Sequence, residues 1–314
     1  MSDISTVTIV IPAYNHARHL DMAVQSVLNQ DYANIELIVL DDGSTDETSD
    51  VLKRYSGKFH WERHANMGQA ATLNKGWRMA SGEILSYLSA DDVLTKTAVS
   101  TSLRYLDKFP DVVLAYGDFY LIDGQSSIIR RVNAPEFDYM KMVVEQACPP
   151  GPGVFFRKQA FLAAGSWDKS FKQIPDYEYW LRLGRVGKFK RIPIALASFR
   201  VHPQSLTFSK ADLSRAEEPI IAMEKYFKSN YIPDHLYHRK NESMSNAYIM
   251  TAQLNLRSGR YKLGCRYLKI AFHLYRKNFN KKANLRRILN GILNRPIYKI
   301  IFLYNKIYNF VLNK

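Results

Sequence analysis

Over the first third of the chain, short apolar runs alternate with stretches in which apolar residues recur every three or four positions. Val7 to Ile11 is a β-branched run ended by Pro12, and Ile35 to Leu40 and Ile84 to Leu88 are similar, as strands buried on both faces are. Phe59 to Arg63 reads as a fourth, shorter strand. Between them, Leu20, Ala23, Val24, Val27 and Leu28 keep helical spacing within His19 to Asn29, and Asp46 to Tyr55 and Gly68 to Ala80 read the same way. Ser44 or Thr45 is the expected cap of the second helix. The βαβαβ order predicts an α/β fold with a mainly parallel, doubly wound sheet flanked by helices.

Beyond residue 95 the pattern loosens. A helix is expected over Thr97 to Lys108, strands over Val112 to Leu121, within Gly124 to Asn133, and over Val154 to Arg157, then a helix from Lys158. Cys148-Pro149-Pro150-Gly151-Pro152-Gly153 is a loop in which proline blocks regular structure. A helix over Tyr177 to Val186 and a strand over Ile194 to Arg200 follow. From about residue 212 every periodic stretch is helical: Ser214 to Lys228, Leu236 to Ser258, Tyr261 to Lys277, and a last pair interrupted at Pro296. The expected division is a domain over 1–210 and a helical region over 211–314.

Charge sharpens that division. Residues 1–210 hold 24 Lys and Arg against 23 Asp and Glu, whereas residues 211–314 hold 20 against 6. A nearly neutral domain therefore precedes a strongly basic region, which points to an anionic partner. The two cysteines, Cys148 and Cys265, have neither disulfide-framework nor zinc-site spacing, so a reducing compartment is expected. The opening residues lack the pattern of a secretory signal, and no apolar run reaches the roughly 18 residues a spanning helix needs.

Four constellations carry candidate chemistry. Asp41 and Asp42 close the second strand and Asp91 and Asp92 follow the later one, at strand ends where open α/β sheets bind ligands. Carboxylates gathered there suit a hard divalent cation with a phosphorylated ligand, or the hydroxyls and imide of a nucleoside. Helix-capping turns are the plain alternative for both pairs. Asp176 leads the aromatic-rich stretch Tyr177-Glu178-Tyr179-Trp180, where a carboxylate can serve as a general base or merely open a helix. His202, after Arg200-Val201, can ligate a metal or meet a diphosphate, although single histidines are more often structural.

Taken in order, these motifs resemble the inverting, nucleotide-sugar-dependent family 2 glycosyltransferases, which have the GT-A fold. The resemblance covers roughly residues 5–205. Val7 to Asn15 is similar to the family's opening strand and loop, and Asn66-Met67-Gly68 through Asn74-Lys75-Gly76 resembles its stretch beside the nucleotide. It implies a nucleobase site at Pro12, Ala13 and Tyr14, with Asp42 on the uracil and Asp41 nearby. Asn66, Gly68 and Asn74 would border the nucleotide, Asp91 the ribose and metal, and Asp92 the metal. Mn²⁺ or Mg²⁺ is the implied cofactor, with His202 on the diphosphate or metal and Asp176 as the base. Ser89, Leu73 and Pro175 stand where the family often has acidic, Arg and Glu residues, and the Q-x-x-R-W signature of polymerising members is missing. The resemblance thus implies transfer of one sugar, from a UDP-sugar, to a glycan or lipid-linked acceptor. Pro149 to Gly153 and Gly165 to Asp168 are candidates for the acceptor cleft, with Trp167 as core or sugar platform.

In the last segment Ile288, Leu289, Ile292, Leu293, Ile297, Ile300, Ile301, Tyr304, Ile307, Tyr308 and Val311 recur every three or four residues, among Arg286, Arg287, Arg295, Lys299 and Lys306. Such a segment suits either an anionic membrane surface or packing on the domain, and residues 285–314 are expected on the inner face of the cell membrane. No nucleic-acid recognition motif is visible, so nucleic acid is not an expected partner. A basic nucleic-acid-binding protein, a non-catalytic sugar-nucleotide binder and a transferase acting on polyprenyl phosphate remain alternatives.

Overall fold

The computed structural model describes residues 5–202, 210–230 and 232–293. The chain forms two compact units, Met1–Phe137 with Pro149–Arg200, and Asp138–Cys148 with Val201–Lys314.

The first unit is built from β1 (Val7–Ala13), α1 (Ala17–Leu28), β2 (Ile35–Asp41), α2 (Thr48–Lys53), β3 (His60–Arg63), α3 (Gln69–Met79), β4 (Ile84–Tyr87), β5 (Val93–Leu94), α4 (Ala98–Lys108), β6 (Val112–Ile122) and β7 (Ile128–Val132). After α5 (Tyr139–Glu145), which belongs to the second unit, it resumes with β8 (Phe155–Arg157), α6 (Lys158–Ala164), α7 (Pro175–Val186) and β9 (Lys188–Arg200). The strands form one sheet in the order β3-β2-β1-β4-β8-β6-β9-β5, with β7 paired to β6. β3, β2, β1 and β4 run parallel, while β8 is antiparallel to both β4 and β6.

Every residue of β1 is buried, which explains its unbroken apolar run. Val7, Ile9, Ile11 and Ala13 join Leu37 and Val39 in a core with Leu20, Val24 and Val27 of α1 and Val99, Leu103 and Leu106 of α4. Val10, on the opposite face by strand alternation, meets α3 at Gly76, where a Cβ would lie 2.5 Å from a Val10 Cγ. The mainly parallel sheet flanked by helices is thus the α/β arrangement expected from the sequence.

Three local differences have physical causes. α2 begins at Thr48, because Asp46 is occupied in accepting bonds from Ala17 and Thr48 main-chain N–H groups. β9 starts at Lys188 and continues past Pro193. The ladder with β6 skips from Gly117↔Ile192 to Asp118↔Ala195, so the proline sits in a register shift where no ladder bond is asked of it. α5 was not anticipated and is capped by Asp138, whose Oδ1 accepts from the Lys141 N–H at 2.9 Å.

The second unit adds α8 (Leu213–Lys228), α9 (Asp234–Tyr237), α10 (Lys240–Arg257), α11 (Tyr261–Leu274) and α12 (Lys282–Ile292). α10 is its centre, and α5, α8, α11 and α12 all pack on it. Being covered on several sides, α10 buries polar as well as apolar residues, and several of the polar ones are bonded. Ser243 Oγ donates to the Val143 carbonyl at 2.7 Å, and Asn246 Nδ2 donates to that of Val144 at 2.7 Å. Glu242 is paired with Arg239 and Lys281. Among the described residues no helix is long and apolar enough to cross a membrane. Residues 294–314, the greater part of the expected amphipathic tail, lie outside the described residues.

Gly76→Ala places a methyl against Val10 and is expected to cost about 1–3 kcal/mol by overpacking. Urea unfolding midpoints test this; an unchanged midpoint would show that Val10 yields freely.

Candidate functional site

The parallel strands deliver their carboxyl ends to one edge. Ala13 is in register with Asp41, and the Leu88 N–H donates to the Val10 carbonyl at 3.0 Å, so the loops after β1, β2 and β4 leave the sheet side by side. The first two loops are clasped together by short polar side chains. Asn15, at φ 57°, accepts the Thr45 N–H on Oδ1 at 2.7 Å, while its own N–H donates to Ser44 Oγ at 2.9 Å. The His16 N–H donates to Thr48 Oγ1 at 3.0 Å. Pro12 and Ala13 are buried beside this clasp, and Tyr14 is 47% exposed.

Asp41 and Asp42 are both buried and both committed to main-chain donors. Asp41 Oδ1 accepts from the Ser44 N–H at 2.8 Å, Oδ2 accepts from Ser49 Oγ, and Arg63 Nε lies 3.7 Å away. Asp42 accepts the Met67 N–H on Oδ1 at 2.7 Å and the Gly68 N–H on Oδ2 at 2.9 Å. Gly43 and Gly68 adopt the positive φ these turns require, 76° and 86°, and a Cβ on Gly43 would lie 2.7 Å from the Asn66 nitrogen. Asn66 itself is exposed on the loop that Asp42 holds.

The second pair is divided. Asp91 is half-buried, whereas Asp92 is 2% exposed and accepts the Arg200 N–H on Oδ1 at 2.9 Å. Burial pushes the Asp92 carboxyl well above the usual carboxylate range, and the charge of Asp91 adds to it, against the opposing pull of Arg200. The Arg200 guanidinium is itself fully buried. It donates to the Asp91 carbonyl at 2.8 Å, the Asp123 carbonyl at 2.9 Å and Ser126 Oγ at 2.8 Å, tying the loop after β4 to the turn between β6 and β7. Among the described residues no three His, Cys, Asp or Glu side chains gather as a ready-made metal cage.

Asp176 occupies the first turn of α7, after Pro175 at the start of the helix. Desolvation raises its carboxyl above the ordinary value, against the lowering effect of the Tyr177 and Asp176 N–H groups. One turn further, Tyr179 enters a cluster of rings with Trp77, Tyr87, Phe156, Trp167 and Trp180, the neighbours lying at 5.2–6.4 Å centroid spacing. Through Tyr87 at the end of β4 this cluster joins α7 to the sheet edge that carries the acidic loops.

Two expected site residues belong to that support. Asn74 is 1% exposed and brackets Trp167, donating to its carbonyl and accepting its N–H, both at 2.8 Å, so its amide is spent on packing α3 rather than offered to a nucleotide. Trp167, 3% exposed, lies within the ring cluster and is core, not a sugar platform. His202 follows β9 and groups with the second unit. Sequence reasoning missed Arg63 and His64. Arg63 Nη2 donates to the Ser44 carbonyl at 2.7 Å, and His64 Nδ1 lies 3.5 Å from Asp42. Two basic side chains at the end of a strand, beside an acidic strand end, were the available signal. Asp118 was also missed. Burial alone would raise its carboxyl, but Arg131, Arg191 and the Ala134 N–H outweigh that and hold it low.

A mainly parallel sheet flanked by helices is the arrangement of the GT-A fold. Residues 8–162 match the model of Glycosyl transferase family 2, and the chain belongs to that family. An uncharacterized glycosyltransferase of Rickettsia prowazekii, RP339, is 31% identical over 209 residues, covering 64% of this chain and 65% of that protein. The alignment thus spans just under two thirds of that relative's length. The crystal structure of S. aureus TarS residues 1–349 in complex with UDP-GlcNAc aligns with TM-score 0.64 at 14% identity, over 87% of this chain and 92% of TarS 1–349. The mannosyltransferase PcManGT of Pyrobaculum calidifontis, in complex with GDP-Man and Mn²⁺, aligns with TM-score 0.61 at 14% identity over 98% of this chain and 88% of its own. Likeness at that identity establishes the fold.

Asp42→Asn turns an acceptor into a donor facing one of two N–H groups. A loss of about 1.5–3 kcal/mol is expected, the usual worth of hydrogen bonds to a charged group. Chemical unfolding measures it, and a loss under half that range would mean that solvent readily replaces the carboxylate.

Proposed function

We propose that the protein transfers one sugar from a nucleotide-sugar, most simply a UDP-sugar, to a hydroxyl of a glycan or lipid-linked acceptor, with inversion at the anomeric carbon. The observation that carries this reading is the Asp176 carboxyl, raised by desolvation at the head of a helix that the ring cluster fastens to the acidic edge of a GT-A sheet. The family match and the sugar-nucleotide complexes of TarS and PcManGT support a donor of this class.

In this reading the nucleoside lies over the clasped loops, against the Tyr14 ring and the exposed Asn66 loop. Asp41 and Asp42 act mainly by holding these loops in shape, since their oxygens already serve main-chain donors. Asp91 would border the ribose and, together with the donor's own phosphates, would hold a divalent cation. One half-buried carboxylate fits such a cation, because Mg²⁺-type ions take one or two protein carboxylates together with substrate phosphates. When bound, the cation supplies neutralisation of the departing diphosphate. Asp92 works one step back, fixing the Arg200 main chain and so the loop that carries Asp91.

The acceptor hydroxyl gives its proton to the Asp176 carboxylate while its oxygen attacks the anomeric carbon. The bond from that carbon to the diphosphate oxygen breaks on the opposite face, and the nucleoside diphosphate leaves with the bonding pair. A base in a desolvated setting suits this task, because a raised affinity for the proton makes the carboxylate a stronger base.

Asp176→Asn is expected to lower transfer by about 10²- to 10⁴-fold while donor binding stays within about twofold. Transfer assays beside calorimetric titration with UDP- and GDP-sugars decide it, and near-normal turnover would remove Asp176 from the role. The base must be ionised, so activity falls as pH drops through its raised pKa. The acid limb of the profile is therefore expected above the ordinary aspartate value of about 3.9 and absent from the residual activity of the Asn variant.

A further inference from the structure

The last described helix is turned inside out. α12 directs Asn284 and Gly291 into the second unit. Asn284 Nδ2 donates to Asn246 Oδ1 at 2.8 Å and to the Asn278 carbonyl at 3.0 Å, and Gly291 sits against the backbone of Gln253. Arg287 on the same side donates to the Glu145 carbonyl at 3.2 Å. Its outer face carries Leu285, Leu289, Ile292 and Leu293, exposed by 45, 53, 50 and 57%. A surface helix ordinarily buries its apolar stripe and shows its polar one. Here the polar side makes the intramolecular bonds, and the apolar row, with exposed Lys282 and Arg286 beside it, is presented outward.

The surrounding charge identifies the occupant. Residues 243–314 contain 15 Lys and Arg and no Asp or Glu, as much positive charge as the net +15 of the whole chain. Past Leu293 the sequence continues the same apolar spacing through Ile297, Ile300, Ile301 and Tyr304, with Arg295 and Lys299 between. Nucleic acid would answer the cations but leave four large aliphatic side chains in water. A second copy of this basic face would bring like charges together. An anionic bilayer answers both features at once, taking the aliphatic row below its headgroups and the cations among its phosphates.

We propose that the outer face of α12 is a docking surface for anionic lipid membrane, with Leu285, Leu289, Ile292 and Leu293 as the inserted row and Lys282 and Arg286 at the headgroups. Attachment through this face does not depend on sugar transfer, so it stands or falls separately from the catalytic reading.

The test is co-sedimentation of the full chain with large unilamellar vesicles of phosphatidylcholine, with and without phosphatidylglycerol. Binding is expected only where phosphatidylglycerol is present and is expected to weaken as salt rises. Leu285→Ser with Leu289→Ser should lower partitioning roughly tenfold or more, because two inserted side chains are lost, while Tm stays unchanged because both face outward. Lys282→Gln with Arg286→Gln should weaken binding chiefly at low salt. Equal binding to pure phosphatidylcholine, or no binding to either vesicle, overturns the proposal. So does a fall in Tm with undiminished vesicle binding in the double serine variant, which would mean that the chain itself covers this face. Retention on double-stranded DNA that outcompetes the vesicles and survives the serine substitutions assigns the charge to nucleic acid and likewise overturns it.

Discussion

A carboxylate taken out of water must be given donors, and at the carboxyl edge of this sheet the donors are the main-chain N–H groups of neighbouring loops. Asp41 draws in Ser44, and Asp42 draws in Met67 and Gly68. The turns after β2 and before α3 are therefore wrapped around two buried charges, and their glycines follow from the tightness of the wrapping. Asn15 and Asp46 extend the same economy to the loop after β1. Loops that would otherwise be mobile thereby become a shaped surface.

Arg200 performs the complementary task with the opposite charge. A fully buried guanidinium is costly, and its burial pushes its pKa down, yet it is surrounded by carbonyls, a hydroxyl and the charges of Asp91 and Asp92. By ending β9 at this point the fold brings the loop after β4 and the turn between β6 and β7 to one anchor. Removing a single member would strand a buried charge, so the arrangement is stiff in a way that a set of surface ion pairs is not.

The strands, their parallel order and the family were legible because the signals are local. Buried strands read as apolar runs, helices as three-to-four spacing, and each acidic pair sits directly at a strand end. The last residues of β1 and β2, the turn of α5 and the early part of β9 were harder. Each depends on a partner far along the chain: the clasp between loops, the carbonyls of α5 bonded by Ser243 and Asn246, the shifted register against β6. Site roles were legible in part. Asp91 follows a strand end and Asp176 opens a helix, as the local pattern indicated, whereas Asn74 and Trp167 pair with each other, a contact between residues 93 positions apart that no spacing rule reveals.

By itself, then, the sequence determined the α/β class, the strand ends at which acidic residues gather and the concentration of positive charge after Glu242, all of which are written in nearest neighbours and periodicity. Only tertiary structure decided how deeply each carboxylate is buried. Asp42 and Asp92 are buried against main-chain donors, Asp91 is half-buried, and Asp176 is raised by desolvation that depends on what surrounds its helix. Tertiary structure also decided which side of α12 faces outward, since an amphipathic pattern names two faces but the asparagine bonds to α10 choose between them. The physical reason is the same in both cases. Burial, and with it the strength of every polar interaction, is set by distant parts of the chain.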